Sequence, residues 1–224
     1  MNKLEICCCD IESVVAAKLG GADRVELCSA LEVGGLTPSI ALIREAVKIF
    51  GDGVFVLIRE RPGDFVYSQL EIEVMLNDIK AAIEAGASGV VFGALTTNGD
   101  IDLDAVKKMK QAAEGVEVTF HRAFDEVNEP LKALEQIIEA GCDRILTSGQ
   151  KSSAEEGIPL LKELNSKAAG RIKILAGAGV NWENAGKILN ETGGNEIHAS
   201  AKINVGDHMR SSSDLVSKIK KQIS

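Results

Sequence analysis

Short runs rich in Val, Ile and Leu recur along the chain, near residues 4–8, 24–28, 54–59, 89–93, 116–121, 144–148, 172–176 and 196–200. A longer stretch with apolar residues at helical spacing follows each of them, over 13–19, 40–50, 69–85, 103–113, 131–140, 154–164, 182–191 and 214–223. In the last stretch Leu215, Ile219 and Ile223 stand four apart and share one helix face. A buried parallel strand reads as a continuous apolar run and a packed helix as a 3.6-residue period, so the pattern predicts repeated βα units.

Internal similarity sharpens this. Gly20-Gly21-Ala22-Asp23-Arg24-Val25-Glu26-Leu27, Ala85-Gly86-Ala87-Ser88-Gly89-Val90-Val91-Phe92 and Ala140-Gly141-Cys142-Asp143-Arg144-Ile145-Leu146-Thr147 are one pattern, with a weaker copy at Thr192-Gly193-Gly194-Asn195-Glu196-Ile197. Each reads as a glycine ending a helix, a turn, then a strand, and each falls on an even-numbered strand. Four copies on alternate strands imply eight strands. No Pro/Gly/Ser-rich linker divides the chain, so residues 1–224 are expected to form one α/β domain, a (β/α)8 barrel of the TIM type. The rival, an open doubly wound sheet, would carry Gly-x-Gly-x-x-Gly after its first strand, and none stands there.

Polar residues inside buried strands are informative, because both faces of such a strand should be apolar. Glu5, Cys7 and Cys9 share one side of the first strand; Arg24, Glu26 and Cys28 share one side of the second. Thr119 and His121 do so on the fifth, and Glu196, His198 and Ser200 on the eighth. The apolar sets must meet the helices, so these polar sets line the barrel, and Arg59 ends the third strand in the same ring. Chemistry in such barrels sits at the C-terminal strand ends.

The candidate catalytic residues are therefore Glu5, Glu26, Arg59, His121, Arg122 and His198, with Arg61, Asp64 and Asp125 on the adjoining loops. Buried carboxylates are costly unless paired, and Arg59 and a protonatable histidine are the expected partners. The alternative is an ion cluster that only fills the barrel. Glycines at two strand ends, Ser148-Gly149 and Gly177-Ala178-Gly179, offer backbone N–H groups where barrels often hold phosphate, with Ser200 nearby and Lys202 as counter-charge.

Both first strands read Glu-x-Cys, and neighbouring strands lie roughly 4.8 Å apart, so Cys7 and Cys28 should be close, with Cys9 as a third thiol. Clustered thiolates suit Cu(I) before Zn(II), while plain packing is the competing use of a buried cysteine. No Cys-x-x-Cys occurs. Cys142, in a turn at the opposite face, and Trp182, opening a helix, are expected to be structural, and Asp207, His208 and Arg210 fall in a polar loop without evident chemistry.

Composition narrows the partners. Lys and Arg number 25 against 33 Asp and Glu, giving a net charge of −8, and aromatics are 4%, so nucleic acid is not an expected partner. Charged residues interrupt every apolar run well before the ~18 residues of a membrane span. The N-terminal residues lack a charged-then-apolar leader, and the five cysteines are an odd number, so a cytoplasmic, reducing setting is expected. A homo-oligomer is compatible with these features.

At these residues the sequence resembles the CutC family, named for copper homeostasis. The resemblance runs through Glu5-Ile6-Cys7, Gly20–Cys28, Gly34-Gly35-Leu36-Thr37-Pro38-Ser39, Ile58-Arg59, Gly63-Asp64-Phe65-Val66-Tyr67-Ser68, Val90-Val91-Phe92-Gly93, Thr119-Phe120-His121-Arg122-Ala123-Phe124-Asp125, Ile145-Leu146-Thr147-Ser148-Gly149 and His198-Ala199-Ser200-Ala201. It implies a (β/α)8 barrel of the cytoplasm, with Cys7 and Cys28 as Cu(I) ligands. Three departures stand out: Cys7-Cys8-Cys9-Asp10 where the family reads Cys-Val-Asp-Ser, Glu60 where it tends to have proline, and a shorter tail beyond Lys202. The first removes an interior acid and adds a thiol. Two functions follow as expectations: a copper homeostasis protein holding Cu(I) through thiolates, or an enzyme acting on a small anionic metabolite, phosphorylated ones included, with Glu, Arg and His.

Overall fold

The computed structural model describes residues 1–224. Its elements alternate as β1 (Lys3–Cys8), α1 (Ile11–Leu19), β2 (Arg24–Leu27), α2 (Ile40–Phe50), β3 (Val54–Leu57), α3 (Gln69–Glu84), β4 (Gly89–Phe92) and α4 (Leu103–Ala112). They continue as β5 (Glu117–Phe120), α5 (Pro130–Glu139), β6 (Arg144–Thr147), α6 (Ile158–Ala168), β7 (Lys173–Ala176), α7 (Ala185–Thr192), β8 (Glu196–Ala199), a hairpin of β9 (Lys202–Val205) and β10 (His208–Ser211), and α8 (Ser213–Gln222). Strands β1 to β8 close into a barrel in sequence order, all parallel, with β8 returning to β1. This is the (β/α)8 architecture that the alternation predicts. No helix is long and apolar enough to cross a membrane.

The repeated motif has a local cause. Its second glycine, Gly21, Gly86 or Gly141, has φ of +81°, +98° and +81°, a left-handed conformation that stops the helix and costs other residues energy. Two residues on, a polar side chain caps the preceding strand. Asp23 accepts from the Leu4 amide at 2.7 Å, Ser88 from Gly53 at 2.9 Å and Asp143 from Val118 at 2.8 Å. Each even strand thus satisfies an amide at the entrance of its odd neighbour, which would otherwise be left unpaired.

Outward side chains such as Leu4, Ile6, Val25, Leu27, Val54 and Val56 are buried against the helices in one continuous core. Inside the barrel, Phe55 lies between the guanidiniums of Arg24 and Arg144, 5.0 and 5.4 Å from its ring centroid. Gly89 on β4 makes room for it, since a Cβ there would meet the Phe55 ring at 2.3 Å.

Three expectations need correction. Helix α6 starts at Ile158, not near 154, because Pro159 in its first turn sets the start and residues 151–157 turn back over the end of β6. The polar segment before the last helix is the β9–β10 hairpin. Trp182 lies in a turn ahead of α7 and is 42% exposed, so it is not a core residue.

Candidate functional site

The inward positions form two levels. At the lower level Arg24 donates to Glu5 through Nε and to Glu196 through Nη2 at 2.8 Å, and Arg144 joins Glu196 to Glu117, the latter at 3.0 Å. Apart from Glu117 these side chains are almost wholly buried. Burial by itself would raise the Glu5 pKa, but Arg24, His198 and Arg144 outweigh it and hold Glu5 well below the ordinary carboxylate range. This corrects the expected pairing: Arg24, not Arg59, neutralises Glu5. Arg59 instead donates to the carbonyls of Val33, Gly35 and Gly63 at 3.1, 3.0 and 2.7 Å and lies over the Phe65 ring.

Above that floor, His198 Nδ1 meets Glu5 Oε1 at 2.7 Å and its Nε2 is 3.8 Å from Glu26. Burial opposes a charged imidazole, yet Glu26 and Glu5 together raise the His198 pKa. Burial pushes Glu26 up to about 7, with His198 pulling down and Glu5 pushing up. The sign of the resulting pH dependence is definite. An unfolded Glu26 releases its proton near 4.5 and the folded one holds it to about 7, so between these values the unfolded chain binds fewer protons and stability falls as pH rises. Glu26→Gln is expected to remove that fall, on the order of 3 kcal/mol between pH 4.5 and 8, as read by urea unfolding across the range. Parallel pH profiles for variant and wild type would contradict it.

The sulfurs of Cys7 and Cys28 are 3.7 Å apart and those of Cys28 and Cys9 3.6 Å apart. The register is not the level one that the matching Glu-x-Cys strings suggest: Glu5 stands opposite Arg24 and Cys7 opposite Glu26, so the thiols meet on the diagonal. All three sulfurs lie within 4.8 Å of one another. The hydrogen bond with Cys28, the nearby Cys7 thiol and the Lys202 ammonium 3.6 Å away outweigh burial and pull the Cys9 pKa down to about 3, so Cys9 is the thiol of the group most ready to ionise. Cys7 and Cys28 are pushed well above the ordinary thiol value, Cys7 by its hydrogen bond with Cys28, the nearby Cys9 and burial, and Cys28, against the opposing pull of Cys7, by Cys9 and burial. Lys202 is therefore the counter-charge of Cys9. Cys142 is buried at the other end and raised to about 12 by burial.

A cavity of about 380 Å³ opens at the C-terminal end of the strands. It brings together Cys7, Glu26, Arg59, His121, Arg122, His198, Gly179 and Ser200 of the expected set, and adds Leu31, Leu57, Phe65 and Leu146, apolar residues that no pattern of charges could single out. Glu5 lies beneath it. Arg61 and Asp64 do not line it, because Arg61 is drawn outward onto Glu71, Asp64 and the Tyr67 ring. Asp125 is turned into the β6 loop, where it accepts from the Thr147 hydroxyl and the Ser148 and Gln150 amides. The Ser148 and Gly149 amides, expected to be free for phosphate, are spent on Asp125 and Thr147. Gly177 donates to the Thr147 carbonyl and packs against Leu146.

The CutC family model matches residues 2–203. The chain belongs to the CutC family. A CutC protein of Pasteurella multocida is 52% identical over 200 residues, covering 89% of this chain and 82% of its own. A second, from Bacteroides thetaiotaomicron, is 51% identical over 216 residues, covering 96% and 87%. Among solved structures, a Streptococcus agalactiae protein bearing the name CutC, with a copper homeostasis designation, superposes with a TM-score of 0.85 at 36% identity, over 89% of this chain and 99% of its own. The match spans all eight barrel strands, so this CutC chain carries the whole inward set on the family's own framework.

Proposed function

We propose that this CutC protein serves copper homeostasis by holding one Cu(I) on the thiolates of Cys7, Cys9 and Cys28, in the reducing cytoplasm where thiols stay free. The observation that supports it is the sulfur triangle. A metal–thiolate bond of about 2.3 Å, three in a plane, spaces sulfurs about 4.0 Å apart, and separations of 3.6 and 3.7 Å need only a small expansion. Soft donors with no hard ligand among them select Cu(I) over the harder divalent ions. Lys202 offsets part of the negative charge that three thiolates would concentrate. Titration of the reduced protein against a Cu(I) chelator tests this, with one tightly held Cu(I) per chain expected and none held against the chelator as the contrary result.

A second reading is favoured by a separate observation: the cavity is larger than a copper ion needs and carries buried donors without partners. His121 Nδ1 accepts the Ala123 amide at 3.2 Å, so its proton sits on Nε2, which finds no acceptor, and Arg59 Nε finds none either. Each such group costs about 1–3 kcal/mol unless something else binds it. In this reading the mouth takes a small anionic metabolite, with Glu26 and His198 as the groups that could move a proton on it. Thermal shift against phosphorylated and carboxylated metabolites checks it: a true ligand at 100 times its Kd adds about 2.7 kcal/mol, and no shift from any of them would set the reading aside.

A further inference from the structure

Two of the strand ends at the cavity leave backbone donors open toward a ligand-sized space. After β7, Ala178 and Gly179 both adopt left-handed backbone, with φ of +80° and +69°. For an alanine this conformation is strained by roughly 1 kcal/mol, and strained non-glycine residues cluster where a loop is shaped for a ligand. The amides of Ala178, Gly179 and Val180 donate to no acceptor in the protein, and neither does the amide of Ser200 after β8. All four residues line the cavity. The loop after β6 is the contrast, since there Asp125 and Thr147 absorb the amides of Ser148, Gly149 and Gln150.

Successive amides in such a turn form a concave donor surface for an anion. Arg122 adds a charge: its Nε is held by Asp125 at 2.8 Å while its half-exposed head lines the same cavity. Across the closed barrel β3 stands opposite β7, so Arg59 faces this surface from the far wall and His121 flanks it from β5. His121 is 5% exposed, and burial, with Arg59 beside it, lowers its pKa to about 3, so near neutral pH it is an uncharged donor.

Resting on the anion reading of the cavity, we infer that the Ala178–Gly179–Val180 turn, the Ser200 amide and Arg122 form a subsite for the phosphate of a small phosphate monoester, whose oxygen-bearing body reaches toward Arg59 and His121. Four backbone donors and a guanidinium from two loops and a third suit the three terminal oxygens of a tetrahedral dianion better than the two coplanar oxygens of a carboxylate. The cavity, at about 380 Å³, lies at the small end of the range of roughly 300–1,000 Å³ for ligand pockets, which fits a short-chain ligand.

The test uses the whole protein, with inorganic phosphate, glycerol 3-phosphate and glycerate as probes, followed by amide chemical shifts and calorimetry. Glycerol 3-phosphate is expected to shift the amides of Ala178, Gly179, Val180 and Ser200 more than any others, and to bind at least tenfold more tightly than glycerate. Arg122→Gln is expected to weaken it at least tenfold. If glycerol 3-phosphate perturbs residues around Arg59 and His121 but leaves those four amides unmoved, the subsite is wrong and the anion reading stands. Equal affinity for glycerate would overturn the phosphate assignment. No perturbation of cavity residues by any probe would remove both the subsite and the anion reading.

Discussion

Cys28→Ser is expected to lower Cu(I) affinity by at least about 100-fold, since even groups that only orient a metal ligand cost 10–100-fold when lost. Cys28 is the middle sulfur of the proposed site, 3.7 Å from Cys7 and 3.6 Å from Cys9. A serine hydroxyl is a hard donor that stays protonated, so it replaces neither the charge nor the softness of the sulfur. Cys142→Ser, at the opposite end of the barrel, should leave affinity unchanged. The pH dependence has a definite sign. Cys7 and Cys28 hold their protons well above the ordinary thiol value while Cys9 is already ionised, so binding copper expels up to two protons and affinity rises with pH. Chelator competition at several pH values reads both effects. Cysteine variants that bind like the wild type would leave these sulfurs as packing and remove the copper proposal.

Arg24→Met should cost about 3–5 kcal/mol of stability, because removing one partner of a buried ion network strands the charge of the others. Arg24 serves two carboxylates at once, Glu5 and Glu196, both almost wholly buried. At about 2–4 °C per kcal/mol for a chain of this size, the melting temperature should drop by roughly 6–20 °C. Glu5→Gln in the Arg24→Met background should recover part of the loss, since it removes one stranded charge. The sign with pH also follows. The depressed Glu5 pKa contributes stability above the ordinary value of 4.5 that disappears as pH falls toward its folded value, so the penalty of Arg24→Met should shrink in acid. A loss under 1 kcal/mol at neutral pH would mean that water reaches the floor of the barrel.

The sequence made the fold legible because its signals are local. Apolar runs, helical periods and the glycine turns at Gly21, Gly86 and Gly141 each depend on a few neighbouring residues, and they recur in step with the strands. Parity along a strand is equally local, so it could place Glu5, Glu26, His121 and His198 on the inward side. The α6 start escapes local signals for the same reason: Ala154 is buried and apolar like a helix residue, yet it belongs to a turn tied to Ala178.

What the strand pattern determined by itself is therefore an eightfold barrel and the list of side chains that point into it. Which of those side chains meet was decided by tertiary structure. The stagger between β1 and β2 sets Glu5 against Arg24 and Cys7 against Glu26, two residues away from the level pairing, and a shift of two residues leaves every residue's parity intact while changing its partner. Beyond the strands, Cys9 meets Lys202 because β8 closes back onto β1 and carries the segment after it to the end of β1. The amides after β6 are consumed and those after β7 left open because Asp125, on a different loop, lies over the first and not the second. Stagger and loop path depend on closing the whole barrel, so no window of residues encodes them.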